Sequence, residues 1–545
     1  MTRAEIRRPV APVVLLVAGP GVADEVVETV ATRATAESGV PAVVVDPAGD
    51  TLASALATAS TRGSGIVLLD ARWLAPATVY GDLVADPRDE PAVLADPDGT
   101  VVGVRLTTGA ELPGSGTGGD LLAAAATVAR GHGARELGPG SFPTAWTDGG
   151  LATALATVDA ADERALRLRR ASRSDDGFLS AFLVRPLSRQ VTRQAVRLGL
   201  RPAQITAVSL ALGIASAVAF AGGTTGWRVV GALLLFCSLV VDCVDGEVAR
   251  YTRTFSPLGG WLDVASDRVK EYAVYAGLVV GADRVGQGHG WQAALAAMAV
   301  LVVRHFVDFG FAASPATRSS GSAVAGLSEA TSARPGLIWA KRAVIMPVGE
   351  RTVLLVVLAP LLGAKSVLWL LFALGVLAGV YTSAGRLGRS WSAGREQSLA
   401  APGAQRLAAQ CDASPVPEAA LLVTSRLGWL APAVARTLEL VVVGGTALLV
   451  GGDAALAGAY ALLAVAAFRD YDLAYRQRLT GVVRPRDGLT PIGWPVRSVG
   501  GALLVVWAAS GPSWPPLVAA AVVGLLALGV NVRWWAARSS AHPTG

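Results

Sequence analysis

Residues 242–267 read DCVDGEVARYTRTFSPLGGWLDVASD. The stretch holds two pairs of carboxylates, Asp242 with Asp245 and Asp263 with Asp267. Spacings of three and four put the members of each pair on one face of a helix. Ser256-Pro257 makes a short turn between the pairs, so the two helices must be antiparallel neighbours. The flanking segments, about 226–248 and 259–281, are apolar and near the ~20 residues that cross a bilayer. All four carboxylates are therefore expected to converge where two membrane helices meet one surface.

Four such charges cannot stay ionised together in a low dielectric without cations. Carboxylate oxygens suit hard ions such as Mg²⁺ or Mn²⁺. Two ions in such a cradle would clamp a diphosphate and stabilise both attacking and leaving oxygens. Gly246 and Ala249 share a face at spacing three and, having almost no side chain, let a flat nucleotide approach. A competing reading pairs the Asp residues with Arg250, Arg253, Arg268 and Lys270 as a solvated helix-end network. Eight fixed positions at one spacing argue against it.

The pattern resembles the signature of the CDP-alcohol phosphotransferase (CDP-alcohol phosphatidyltransferase) family, DxxDGxxAR(x8)GxxxDxxxD, and matches it at every position. The likeness extends over about 175–390 and includes Pro347-Val-Gly-Glu-Arg351. The resemblance implies that Asp242, Asp245, Asp263 and Asp267 hold two divalent cations around the donor's diphosphate. It implies that Gly246, Ala249, Arg250 and Gly259 border the nucleotide, and that Asp267 is the general base on the acceptor hydroxyl. It also implies a CDP-alcohol donor, either CDP-diacylglycerol or a CDP-polyol, release of CMP, and a homodimer. The acceptor is less marked. Arg304 and Arg351 are candidates for a phosphate-bearing polyol, with an Arg304–Asp308 pair at i, i+4 and a membrane anchor as the plainer alternatives.

Composition agrees with membrane residence. Of 545 residues, 52% are hydrophobic and 16% charged, against roughly 25% charged in soluble proteins. This excludes a disordered chain and a wholly soluble one. The net charge of +6 does not imply nucleic-acid binding. Ten candidate spans lie at about 203–222, 226–248, 259–281, 290–312, 346–363, 366–385, 431–451, 454–470, 496–511 and 514–533. With the N-terminus in the cytosol, nearly all interspan Arg falls on the cytosolic side, and the opposite loops hold only Arg284 and Lys365. That asymmetry predicts a multi-pass cell-membrane protein with both termini and the active site cytoplasmic. Arg185, Arg189, Arg193, Arg197 and Arg201 recur every fourth residue, which predicts an interfacial helix facing anionic membrane lipids at ~1 kcal/mol per Arg.

The expected fold is multidomain: an α/β soluble domain over 1–160, then an all-α polytopic membrane domain. The latter comprises a six-span catalytic unit at 175–390, a linker at 391–425, and about four further spans at 426–545 of unassigned role. In the first domain Val13–Ala18, Ala42–Val45 and Gly65–Leu69 read as buried strands, Val22–Ser38 and Thr51–Thr61 as helices, and Ala92–Leu106 as a hairpin. It resembles the nucleotidyltransferase domain fused to some family members in inositol-phosphate cytidylyltransferase chains. The loop Pro20-Gly-Val-Ala-Asp-Glu25 lacks a base, and no Lys precedes Lys270, so a degenerate domain is expected rather than a working cytidylyltransferase. The run Gly114–Gly119 lacks the GK[ST] ending of a phosphate loop. A membrane prenyltransferase is a competing enzyme reading, and a cation transporter a non-enzyme one. The tight Asp spacing across one turn favours the phosphotransferase.

Overall fold

In a computed structural model the chain divides into two compact units, Met1–Ser172 with Arg250–Phe255, and Arg173–Ala249 with Ser256–Gly545. The structure describes residues 12–18, 22–38, 40–46, 50–62, 64–84, 91–107, 118–132, 134–138, 144–172, 178–288, 290–312, 344–392, 427–480, 489 and 491–540. Most of the linker at 391–425 and most of the Gly114–Gly119 run fall outside these residues.

The N-terminal unit runs β1 (Val13–Val17), α1 (Asp24–Ser38), β2 (Ala42–Val45), α2 (Asp50–Arg62), β3 (Ile66–Asp70), β4 (Trp73–Leu74), α3 (Ala77–Val84), β5 (Ala92–Ala95), β6 (Val101–Leu106), α4 (Gly118–Gly131), β7 (Arg135–Leu137), β8 (Ala145–Trp146), α5 (Leu151–Asp159) and α6 (Glu163–Ala171). Six strands form one sheet in the order β2-β1-β3-β6-β5-β7. β1 pairs in parallel with β2 and β3, and β6 runs antiparallel between β3 and β5. Every residue of β3 is buried, as an unbroken apolar run requires when helices cover both faces. The expected hairpin is present. Asp96 closes it by accepting from the backbone N–H of Asp98 and Thr100 at 3.1 and 2.8 Å, and Gly99 supplies the φ of +86°.

The second unit is helical. Its elements are α7 (Arg185–Arg197), α8 (Pro202–Phe220), α9 (Thr225–Thr252), α10 (Pro257–Arg284), α11 (Trp291–Ala312), α12 (Val348–Leu362), α13 (Ala364–Ser392), α14 (Ala431–Val450), α15 (Asp453–Thr480), α16 (Gly501–Ser510) and α17 (Trp514–Ser540). The last three residues of α9 group with the N-terminal unit. A helix stands at each of the ten expected spans. Seven of them, α8, α9, α11, α13, α14, α15 and α17, are long and apolar enough to cross a membrane. The other three depart for identifiable reasons: α10 carries the site's charges, and α12 and α16 have only 15 and 10 residues.

Close backbone approach fixes α8 against α10. A Cβ at Gly277 would lie 2.2 Å from the carbonyl oxygen of Ala217, and one at Gly281 2.0 Å from that of Phe220. Small residues four apart permit such contact between apolar helices. The interfacial helix is corrected in one respect. Arg189, Arg193, Arg197 and Arg201 are exposed, but Arg185 is buried and donates from Nη1 to Glu247 at 2.8 Å. Ser188 and Thr192 also donate to that carboxylate, at 2.8 and 2.6 Å. The stripe therefore begins at Arg189, and α7 is tied to α9 by a buried ion pair.

Candidate active site

The site is assembled by three helices. α9 presents Asp242 and Asp245 one turn apart, and α10 presents Asp263 and Asp267. α10 starts where the sequence indicates: Pro257 occupies the first turn, and the Ser256 hydroxyl accepts from the N–H of Gly259 at 2.9 Å. Ligand oxygens of Asp242, Asp245 and Asp263 lie within 4.8 Å of one another. Asp245 is buried, whereas Asp242 and Asp263 are half-buried. Three hard oxygen donors at this separation suit a divalent cation.

The sequence expectation brought all four carboxylates to one point. The structure gathers three and holds the fourth through a lysine. The Lys270 ammonium lies 2.5 Å from Asp242 Oδ1 and 3.1 Å from Asp267 Oδ1, and donates to Ser209 Oγ at 3.0 Å. α8 contributes two hydroxyls that the sequence reading passed over. Thr206 donates to Asp245 at 2.5 Å and Ser209 to Asp242 at 3.2 Å. Their signal was present: Thr206, Ser209, Gly213 and Ser216 recur at spacings of three and four in an apolar span.

Gly246 and Ala249 are half-exposed on α9. Arg250, the next residue, belongs to the N-terminal unit and donates from Nε to the carbonyl of Ala171. Arg304 donates from Nη2 to Ile345 O at 2.7 Å, while its buried Nη1 has no hydrogen-bond partner among the described residues. Asp308 pairs with Arg386 at 2.6 Å rather than with Arg304. Arg351 is buried and directs Nε and Nη2 to Glu271 at 2.9 and 3.3 Å and Nη1 to Met346 O at 2.9 Å. Glu271 also receives Arg268 at 3.0 Å and the Tyr275 hydroxyl at 3.0 Å.

The four C-terminal helices bury a separate ionic network. Arg436 meets Glu439 at 2.8 Å and also Asp470. Arg497 reaches Glu439 and Asp470, each at 3.0 Å. In the N-terminal unit, Asp70 at the end of β3 accepts from the Arg72 backbone at 2.9 Å and from its guanidinium at 3.0 and 3.2 Å. That hydrogen bond raises the Arg72 guanidinium above its ordinary value.

Carboxylates paired on two antiparallel helices and held by hydroxyls from a third define a candidate cation site. Residues 200–381 match the family model of the CDP-alcohol phosphatidyltransferases. The archaetidylinositol phosphate synthase of Aeropyrum pernix is 41% identical over 71 residues, covering 12% of this chain and 37% of that protein. The chain thus matches little more than a third of the relative's length.

Proposed function

We propose that this chain is an integral membrane transferase that moves a substituted phosphate from a CDP-alcohol to an acceptor hydroxyl and releases CMP. The observation that carries this reading is the convergence of Asp242, Asp245 and Asp263 at the signature spacing. A divalent cation, Mg²⁺ or Mn²⁺, held by these residues would neutralise the donor's diphosphate and stabilise charge on the leaving phosphate. Gly246, Ala249 and Gly259 border the nucleotide, with Arg250 next to Ala249 in the chain. Asp267 takes the proton from the acceptor hydroxyl. The acceptor oxygen bonds to the phosphorus that bears the alcohol. The bond from that phosphorus to the CMP oxygen breaks, and CMP leaves.

The unpartnered Nη1 of Arg304 favours an acceptor that carries a phosphate. The relative's name, a synthase of archaetidylinositol phosphate, supports a phosphorylated polyol. We assign the active site to the cytoplasmic side from the Arg asymmetry of the loops. The N-terminal unit does not supply a cytidylyltransferase in this reading, since the loop Pro20–Glu25 carries no basic residue and no Lys precedes Lys270.

The test is purified protein with Mn²⁺ or Mg²⁺, CDP-diacylglycerol or CDP-polyols, and a panel of acceptors. CMP release is expected, reduced about 10²-fold or more in Asp267→Asn, as loss of a general base requires. Equal release from that variant would remove Asp267 from its role. Absence of CMP with every donor would overturn the function, and pyrophosphate release from a prenyl diphosphate would establish the prenyltransferase instead.

A further inference from the structure

Lys270 sits in the carboxylate cluster as though built for it. Its side chain is 9% exposed. Its stem crosses α8 at Gly213, where a Cβ would lie 2.5 Å from Lys270 Cγ and 2.8 Å from Cδ. Only glycine leaves that path open. At the end of the stem, Nζ meets three acceptors: Asp242 Oδ1 at 2.5 Å, Ser209 Oγ at 3.0 Å and Asp267 Oδ1 at 3.1 Å. An ammonium has three N–H donors, so each has a partner here.

The placement bears on how many ions the cluster takes. Asp242 lies in both groupings, with Asp245 and Asp263 on one side and with Lys270 and Asp267 on the other. A second divalent ion bridging Asp242 and Asp267 would need the position the ammonium holds. The two like charges would then share the same oxygens, which is strongly repulsive at such range. The compact, localised charge of lysine is the side-chain group nearest in character to a small cation.

We propose that the Lys270 ammonium is a resident cation standing in for a second metal ion, so that this chain loads one divalent ion, at Asp242, Asp245 and Asp263. Four carboxylates, one ammonium and one divalent ion leave the cluster with a formal charge of about −1. The ammonium also fixes the Asp267 carboxylate one helical turn from the metal ligand Asp263. The inference rests on reading the cluster as a cation site, and its test does not depend on the transfer reaction.

The experiment is a Mn²⁺ titration of the purified full-length protein, with free Mn²⁺ followed by its electron paramagnetic resonance signal. Wild type and Lys270→Arg are expected to bind one ion per chain at the site, and Asp245→Asn none. Lys270→Met and Lys270→Gln are expected to bind two. Two ions per wild-type chain would overturn the proposal, whether or not the lysine variants fold. One ion in both folded neutral variants would overturn it as well, by showing that the lysine excludes nothing. CMP release measured on the same samples separates the two readings. One ion with no CMP leaves this inference standing without the function, and CMP with two ions does the reverse.

Discussion

Replacing Glu247 with alanine removes the carboxylate that receives Arg185, Ser188 and Thr192 between α7 and α9. Glu247 is fully buried and Arg185 is 5% exposed, so the guanidinium is left without its counter-charge in a low dielectric. Breaking a buried pair from one side costs about 3–5 kcal/mol. The two hydroxyls each lose about 1 kcal/mol, part of which Ser188 regains from the carbonyl of Arg185 at 3.2 Å. A destabilisation of about 5 kcal/mol follows, and at ~2–4 °C per kcal/mol the melting midpoint falls by about 10–20 °C. Glu247→Gln keeps the shape and an acceptor, and should fall about half as far. The double variant Arg185→Leu with Glu247→Leu removes both charges and should return to within about 1–2 kcal/mol of wild type. The assay is thermal unfolding of the detergent-solubilised protein, followed by the fluorescence of its 14 tryptophans. A double variant as unstable as Glu247→Ala would falsify the reasoning, because the loss would then come from packing and not from a stranded charge.

Three further outcomes are expected. Thr206→Val deletes the 2.5 Å hydrogen bond to Asp245 and should weaken Mn²⁺ dependence of CMP release about 10–100-fold, the usual effect of losing an outer-shell partner; an unchanged Mn²⁺ titration would show that Asp245 is oriented by other groups. Gly213→Val places methyl groups in the path of the Lys270 stem and should lower stability by about 1–3 kcal/mol as overpacking does, together with a fall in CMP release that Gly213→Ala shows to a smaller degree; a variant matching wild type in both would mean the stem has another route. Removing metal with a chelator should abolish CMP release, and added Mg²⁺ or Mn²⁺ should restore it, whereas full activity in the chelator would end the metal reading.

The spacing of Asp242, Asp245, Asp263 and Asp267 is local information. Positions three and four apart share a helix face whatever surrounds the helix, and Ser256-Pro257 starts α10 by its own chemistry. The ten apolar segments, five of the six strands of the N-terminal sheet and the Asp96–Gly99 turn were legible for the same reason, whereas β7 was not read. Each rests on periodicity or turn stereochemistry within a dozen residues. The loops' Arg asymmetry likewise needed only the order of segments.

Partners drawn from distant segments were not legible. Arg185 belongs to the basic repeat by spacing, yet a carboxylate 62 positions on takes it inward. Arg304 and Asp308 stand at the interval of an ion pair, but Arg386 from α13 takes Asp308. Lys270 reads as one more charge at a helix end until Gly213, 57 positions earlier, is seen to open its path to Asp242 and Asp267. A charged side chain in an apolar interior goes to whichever counter-charge packing brings within reach, because leaving it unpaired costs more than any local preference can offset. The sequence by itself determined which helices form and which faces carry carboxylates. Which cation each carboxylate meets was decided only when α8, α9 and α10 closed on one another.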